Sequence, residues 1–142
     1  MYSKAEIQQL KRDFWTAFAD AYPRKWLLYD TKIKDVSLKF LAEGKHAEVM
    51  LAIEPREDEK RYAYFDKILS LQTLLREEYL PEAMIEKDFY LENKIISKVW
   101  VQMDGLTMNN RDNWPQIFDF FAQNMTQLEL FFREFEDYIR DI

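Results

Sequence analysis

The stretch Ile33–Glu54, IKDVSLKFLAEGKHAEVMLAIE, reads as two β-strands joined by a tight turn, and it decides the fold. Side chains alternate faces along a strand, so apolar residues at every second position mark one buried face. Val36, Leu38 and Phe40 share such a face on the first strand; Ala47, Val49, Leu51 and Ile53 share one on the second. A turn at Glu43-Gly44 sets Val36 opposite Leu51, Leu38 opposite Val49 and Phe40 opposite Ala47. Every pair is apolar, and a one-residue slip would turn polar side chains into the core. The other face carries Asp35, Ser37 and Lys39 beside Glu48, Met50, Ala52 and Glu54. In this register Asp35 lies opposite Ala52 and diagonal to Glu54, about 7–8 Å away, within reach of a shared ion.

Helices flank the hairpin. Ser3 and Glu6 have the spacing of a capping box, in which hydroxyl and carboxylate satisfy each other's free backbone N–H groups. Behind it Ile7, Leu10, Phe14, Ala17, Phe18 and Ala21 form one apolar stripe on a helix that Pro23 ends. Trp26–Tyr29 is a short apolar run with strand character, followed by a polar turn at Asp30-Thr31-Lys32. After Pro55 a charged segment opens a second helix that carries Tyr62, Phe65, Ile68, Leu69, Leu71, Leu75 and Tyr79 to about Leu80, where Pro81 closes it. Phe89–Leu91 and Ile95–Met103 read as a second hairpin about Glu92-Asn93.

Asn110–Asn113 supplies N-cap residues, and Pro115 suits only a first helical turn. From there Trp114, Phe118, Phe121, Met125, Leu128, Phe132, Phe135 and Ile139 repeat at alternating steps of four and three, a heptad seam. Ile117, Phe120, Phe131 and Tyr138 widen it. Such a helix is about 40 Å long, more than a domain of this size needs. The expectation is a single α+β domain over residues 1–142: helix, strand, hairpin, helix, hairpin, long helix. Its antiparallel-dominated sheet of about five strands carries the helices, with the first and last side by side.

Composition narrows the function. The 142 residues are 48% hydrophobic and 16% aromatic, enough for a packed core, and two Gly with four Pro leave little for an all-β sandwich. No cysteine is present, which excludes disulfides, thiolate catalysis and cysteine-based zinc or iron–sulfur sites. The charged N-terminal segment lacks the apolar core of a signal peptide, so the expected location is cytoplasmic. The net charge is −6, yet residues 1–45 hold nine Lys/Arg against six Asp/Glu. Lys11, Arg12, Arg24, Lys25, Lys32 and Lys34 give this first third a local basic character that the acidic remainder lacks.

Four sites stand out. Asp35 and Glu54, with Glu48, are candidate catalytic acids; Asp35 and Glu54 would hold Mg²⁺ or Mn²⁺ in a metal-dependent phosphodiesterase or nuclease. The nuclease pattern wants acid-x-lysine on the second strand, whereas this chain has Glu54-Pro55-Arg56 or Glu48-Val49-Met50. His46, the one histidine, has no nucleophile at a recognisable spacing. Trp26, Tyr29 and Trp100 fall outside the helical stripes and suit base stacking, while most other aromatics belong to a core. Finally, Trp114, Phe118, Phe121, Phe131, Phe132, Phe135 and Tyr138 form a surface on which two copies of the last helix would cross a two-fold axis. The leading reading is a non-catalytic accessory or interaction module that self-associates and needs no cofactor. A diverged metal-dependent nuclease and a nucleic-acid-binding domain are the alternatives.

Three stretches, YSKAEIQQLKRDFWTAF at Tyr2–Phe18, the hairpin at Ile33–Glu54, and NNRDNWPQIFDFF at Asn109–Phe121, together resemble an uncharacterised bacterial family, DUF4268. The similarity runs in the same order over nearly the whole chain; Phe14-Trp15 and the Asn-Arg-Asp-x-Trp-Pro run before the last helix are its most specific parts. The resemblance implies a bacterial protein, often standing alone at this length and in longer members following a nuclease-like or defence-related region. It brings no established catalytic residues. Where relatives place a polar, cation-containing segment after the second hairpin strand, this chain has Glu54-Pro55-Arg56.

Overall fold

A computed structural model describes residues 2–142. The order is α1 (Lys4–Ala21), β1 (Val36–Glu43), β2 (His46–Ile53), α2 (Asp58–Leu69), α3 (Gln72–Glu78), β3 (Met84–Tyr90), β4 (Ile95–Asp104) and α4 (Trp114–Arg140), with a 3-10 turn at Arg111–Asn113 before α4. One antiparallel sheet runs β1-β2-β4-β3. The fold is α+β as expected, with four strands in place of about five. Among the described residues no helix is long and apolar enough to cross a membrane.

The missing strand is Trp26–Tyr29. Leu28 takes a left-handed φ of 44°, which no strand permits, and the Leu27 N–H is drawn away to a carboxylate oxygen of Glu129 on α4 at 2.6 Å. Among the described residues its one backbone hydrogen bond to the sheet is at the Leu28 carbonyl, which accepts from the Leu38 N–H at 3.0 Å on the free edge of β1. Glu129 is buried, and its other oxygen pairs with the Arg24 guanidinium, which lies 3.8 Å above the Trp26 ring. Glu129→Ala would leave a buried N–H without an acceptor, while the half-exposed Arg24 recovers water. The expected loss is about 2 kcal/mol of unfolding free energy in a urea titration, and less than about 1 kcal/mol for Arg24→Ala.

The first hairpin forms on the expected faces but two residues out of the expected register. Val36 pairs with Ile53, Leu38 with Leu51, Phe40 with Val49 and Ala42 with Ala47, so Gly44-Lys45 is the turn. Gly44 has φ 56°, the positive value that a two-residue hairpin turn asks of its first position. A shift of two keeps every side chain on its own face, so apolar pairing alone cannot separate the two registers.

The helix expected from residue 57 to 80 is broken in two. The Ser70 hydroxyl donates to the Lys67 carbonyl at 2.6 Å, a local bond that competes with the helix ladder, and α3 restarts after Leu71. The second hairpin begins earlier than expected, at Met84, and a bulge between Glu86 and Phe89 takes up one extra residue on β3. The capping box of α1 is present.

All four helices cover one face of the sheet. Phe14 and Phe18 of α1 meet Trp114, Phe118 and Phe121 of α4 edge-on or tilted, at ring separations of 5.1–6.2 Å. That layer buries Leu38, Val49, Leu51, Ile53, Val99 and Val101 beneath it. Among the described residues the opposite face has no helix: Met50, Ala52, Ile96 and Trp100 are buried there by sheet side chains such as Leu41, Met84, Phe89 and Lys98.

The aromatic surface expected to join two copies closes inside a single chain. Trp114, Phe118, Phe121, Phe131 and Phe132 are buried and Phe135 is half-buried; of that set only Tyr138 is exposed. The second stripe lacked a visible partner in sequence because α3 and Tyr79, which packs 5.6 Å from Phe131, arrive from far along the chain.

Candidate functional site

The Asp35/Glu54 end of the sheet opens into a cleft of about 960 Å³ between the β3–β4 turn and the start of α2. Lys34, Asp35, Glu54, Arg56, Glu57, Asp58, Lys60, Arg61, Tyr90 and Lys94 are among its walls. Asp35 has a left-handed φ of 64°, and its carbonyl accepts from the Glu54 N–H at 2.7 Å. It therefore stands opposite Glu54, not Ala52, in keeping with the shifted register.

Glu54 is fully engaged. Its Oε1 lies 2.5 Å from the Lys94 ammonium and its Oε2 2.9 Å from that of Lys39. Burial pushes the Glu54 carboxyl toward its neutral form, but Lys94 and Lys39 outweigh this and hold it below the usual carboxylate range. A divalent ion at this carboxylate would compete with two ammonium groups for its negative charge. Among the described residues no three metal-ligating side chains converge. The cations that sequence reasoning sought two residues after Glu54 come instead from β1 and from the β3–β4 turn. Lys39 was readable in principle, lying on the same face of the same hairpin; Lys94 comes close only because β4 pairs with β2.

Glu48 is not part of that cleft. Six residues along β2 separate it from Glu54, about 20 Å at strand rise. It sits instead in a polar chain on the helix-free face, buried at Glu48 and Lys98 and open to solvent at Gln102 and Asp104. The Lys98 ammonium, 4% exposed, is 2.6 Å from Glu48 Oε1 and packs 4.1 Å from the Phe89 ring and 4.5 Å from the Trp100 ring. Glu48 Oε2 meets His46 Nε2, and His46 Nδ1 is 2.6 Å from Asp104. Gln102 links Asp104 at 3.0 Å to the Trp100 indole N–H at 2.9 Å. The two imidazole nitrogens face opposite carboxylates, so they cannot meet on one metal, and neither is free to act on a substrate.

Burial opposes the charged imidazole, but hydrogen bonds to Asp104 and Glu48 prevail and raise the His46 pKa above its ordinary value. The native state thus holds the proton more tightly than the unfolded chain. The resulting stability is fully present below about pH 6.5 and is lost as pH rises through the raised native value. Unfolding free energy measured by urea titration should fall across that window in the wild type, and His46→Gln should flatten this slope.

The sites named for nucleic acid divide. Trp26 is stacked on Phe18 at 5.9 Å and capped by Arg24, so it is part of the packing. Tyr29 is 75% exposed, with the Lys39 ammonium 5.9 Å from its ring. Trp100 is buried beside Lys98. Lys11 and Arg12 belong to α1, in the helical layer, whereas Lys34 lines the cleft before β1 begins. The basic first third is thus not one patch.

A family model described as Domain of unknown function (DUF4268) matches residues 10–136. No curated protein and no solved structure matches the chain.

Proposed function

The chain belongs to the DUF4268 family, and on that premise we propose that it is a non-catalytic binding module that receives its ligand at the Glu54 cleft. The observation that carries this reading is the Lys39–Glu54–Lys94 cluster. A carboxylate draws a catalytic metal by its negative charge, and that of Glu54 is already balanced by two ammonium groups, one on each oxygen. Glu54 acts here as an internal counter-ion that fixes Lys94 in the wall of the cleft and Lys39 on β1. Glu48 serves the same end elsewhere, neutralising a buried lysine. Association of two copies through α4 draws no support from this arrangement, because the aromatic side chains that would make the contact are spent on the chain's own core.

Calorimetric titration with Mg²⁺ and Mn²⁺, together with cleavage assays on single- and double-stranded DNA, tests the proposal. No heat at millimolar metal and no cleavage are the expected results. Metal-dependent cleavage by the wild type that Glu54→Gln abolishes would overturn it.

A further inference from the structure

We propose that the free edge of β1 over Lys39–Glu43 pairs with the same edge of a second copy of this chain, antiparallel across a two-fold axis at Leu41, so that two sheets join into one. This surface is separate from the Glu54 cleft, and the inference does not rest on what the cleft binds.

The order β1-β2-β4-β3 leaves the sheet with two edges. On β3 the bulge between Glu86 and Phe89 breaks the regular ladder that an added strand needs. β1 instead pairs with β2 without interruption from Val36 to Glu43 and contains no proline. Along an antiparallel strand the backbone groups of successive residues point alternately to its two sides. The Val36 N–H donates to the Ile33 carbonyl, the Val36 carbonyl accepts from the Thr31 hydroxyl, and the Leu38 N–H donates to the Leu28 carbonyl. The even-numbered residues of β1 therefore face away from β2, and the loop before the strand closes the first half of the edge. That cover stops at Leu38. Among the described residues the outward N–H and C=O groups of Phe40 and Ala42 find no partner in any loop, turn or side chain. Trp26 packs on the Phe40 ring from the helical layer, 5.4 Å away, and makes no hydrogen bond to its backbone. The open window thus has two fixed ends, Leu28 beside Leu38 and the turn at Gly44 where the chain leaves for β2. Its middle is Leu41.

A two-fold axis there sets Leu41 opposite Leu41, Phe40 opposite Ala42 and Lys39 opposite Glu43 of the second copy. Each pairing is favourable. Phe40 and Ala42 exchange both N–H···O bonds on either side of the axis, which satisfies the open backbone groups. The half-buried Leu41 side chains meet in a non-hydrogen-bonded pair, with Cβ atoms about 4.5–5.5 Å apart. Lys39 and Glu43 put opposite charges face to face at both ends. Glu43 is exposed and makes no ion pair among the described residues, while Glu54 holds the Lys39 ammonium on the sheet face at 2.9 Å. Moving the axis by one residue spoils the fit: Ala42 then meets Leu38, whose edge Leu28 already occupies, or Lys39 meets Lys45, a like charge. A strand from another protein would use the same backbone groups, but only a second copy makes use of a window that is its own complement in charge and in apolar pairing. So short a contact buries less than the about 1,200 Å² of stable complexes, and the expected Kd is about 10–100 µM.

Sedimentation velocity from about 5 µM to about 500 µM, which brackets that Kd, tests the proposal together with hydrogen exchange read amide by amide. The mass should climb with concentration from one chain toward two, and the Phe40 and Ala42 amide protons should exchange more slowly as it does. Ala42→Pro removes an outward N–H that β2 does not use and should abolish association. Glu43→Lys sets like charges opposite each other at both ends and should weaken it roughly tenfold. Mixing the Glu43→Lys and Lys39→Glu chains restores opposite charges at both ends, so the mixture should associate more tightly than either chain alone. Glu43 is exposed, so thermal melting of Glu43→Lys at a concentration where the wild type is a single chain should be unchanged, which separates a lost contact from a lost fold. A single chain at every concentration overturns the proposal. So does a dimer that both Ala42→Pro and Glu43→Lys leave intact, or one that forms without slowing exchange at Phe40 and Ala42.

Discussion

Phe121→Ala is expected to lower the unfolding free energy by about 4 kcal/mol while leaving the molecular mass in solution unchanged. Phe121 is completely buried, and its ring meets those of Phe14, Trp15, Phe18, Phe40 and Phe120 at separations of 4.9–6.2 Å. Truncation removes most of a large apolar side chain and opens a cavity that rigid aromatic neighbours on α1, β1 and α4 cannot close. At a few degrees per kcal/mol for a domain of this length, the melting temperature should drop by roughly 10 °C or more. Urea denaturation and light scattering on the same sample decide the matter. A halved mass with little change in monomer stability would return Phe121 to a dimer interface; a large stability loss in a species of constant mass places it in the core.

The second large effect is expected at Glu48. Glu48→Ala strands the Lys98 ammonium at 4% exposure between two aromatic rings, with its nearest carboxylate gone. Removing one partner of a buried ion pair costs about 3–5 kcal/mol, chiefly because the remaining charge has neither partner nor water. Part of that cost is recoverable. Lys98→Met keeps the apolar stem and removes the charge, so the double variant Glu48→Ala/Lys98→Met should be more stable than Glu48→Ala alone by about 1–3 kcal/mol in denaturant titrations. If the single and double variants are equally destabilised, the pair is not coupled, and the account of Glu48 as a counter-ion fails. The His46 slope with pH gives a further reading, since Glu48→Ala removes one of the two carboxylates that hold the imidazolium.

Much of the architecture was legible before any coordinates. The Ser3–Glu6 box, the α1 stripe, the alternation in β1 and β2, and the seam of α4 are local patterns, and each formed where its period placed it. The failures share a cause. Trp26–Tyr29 has the composition of a strand, but a buried carboxylate from α4 pulls its backbone away. The hairpin register slid by two because the apolar period is two, and only the turn at Gly44-Lys45 distinguishes the alternatives. The α4 seam looked too wide for one chain because Tyr79, which packs on Phe131 from the end of α3, lies far from it in sequence.

The candidate site was half legible. Asp35 and Glu54 were placed together on the right end of the right hairpin, and Tyr29 was marked as a strand-like aromatic outside the helical stripes. Lys94 and Tyr90 were not, because the second hairpin reaches Glu54 only through the pairing of β4 with β2, more than forty residues away in sequence. By itself the sequence determined the α+β class, the capping box of α1, the faces of the strands and the absence of cysteine chemistry. All of these depend on residues within a few positions of one another. Only the tertiary structure decided that Glu54 pairs with two lysines, that Glu48 neutralises Lys98, and that the aromatic seam of α4 faces inward. Those outcomes turn on which distant side chain reaches a charge or an apolar surface first, and burial makes the difference worth several kcal/mol.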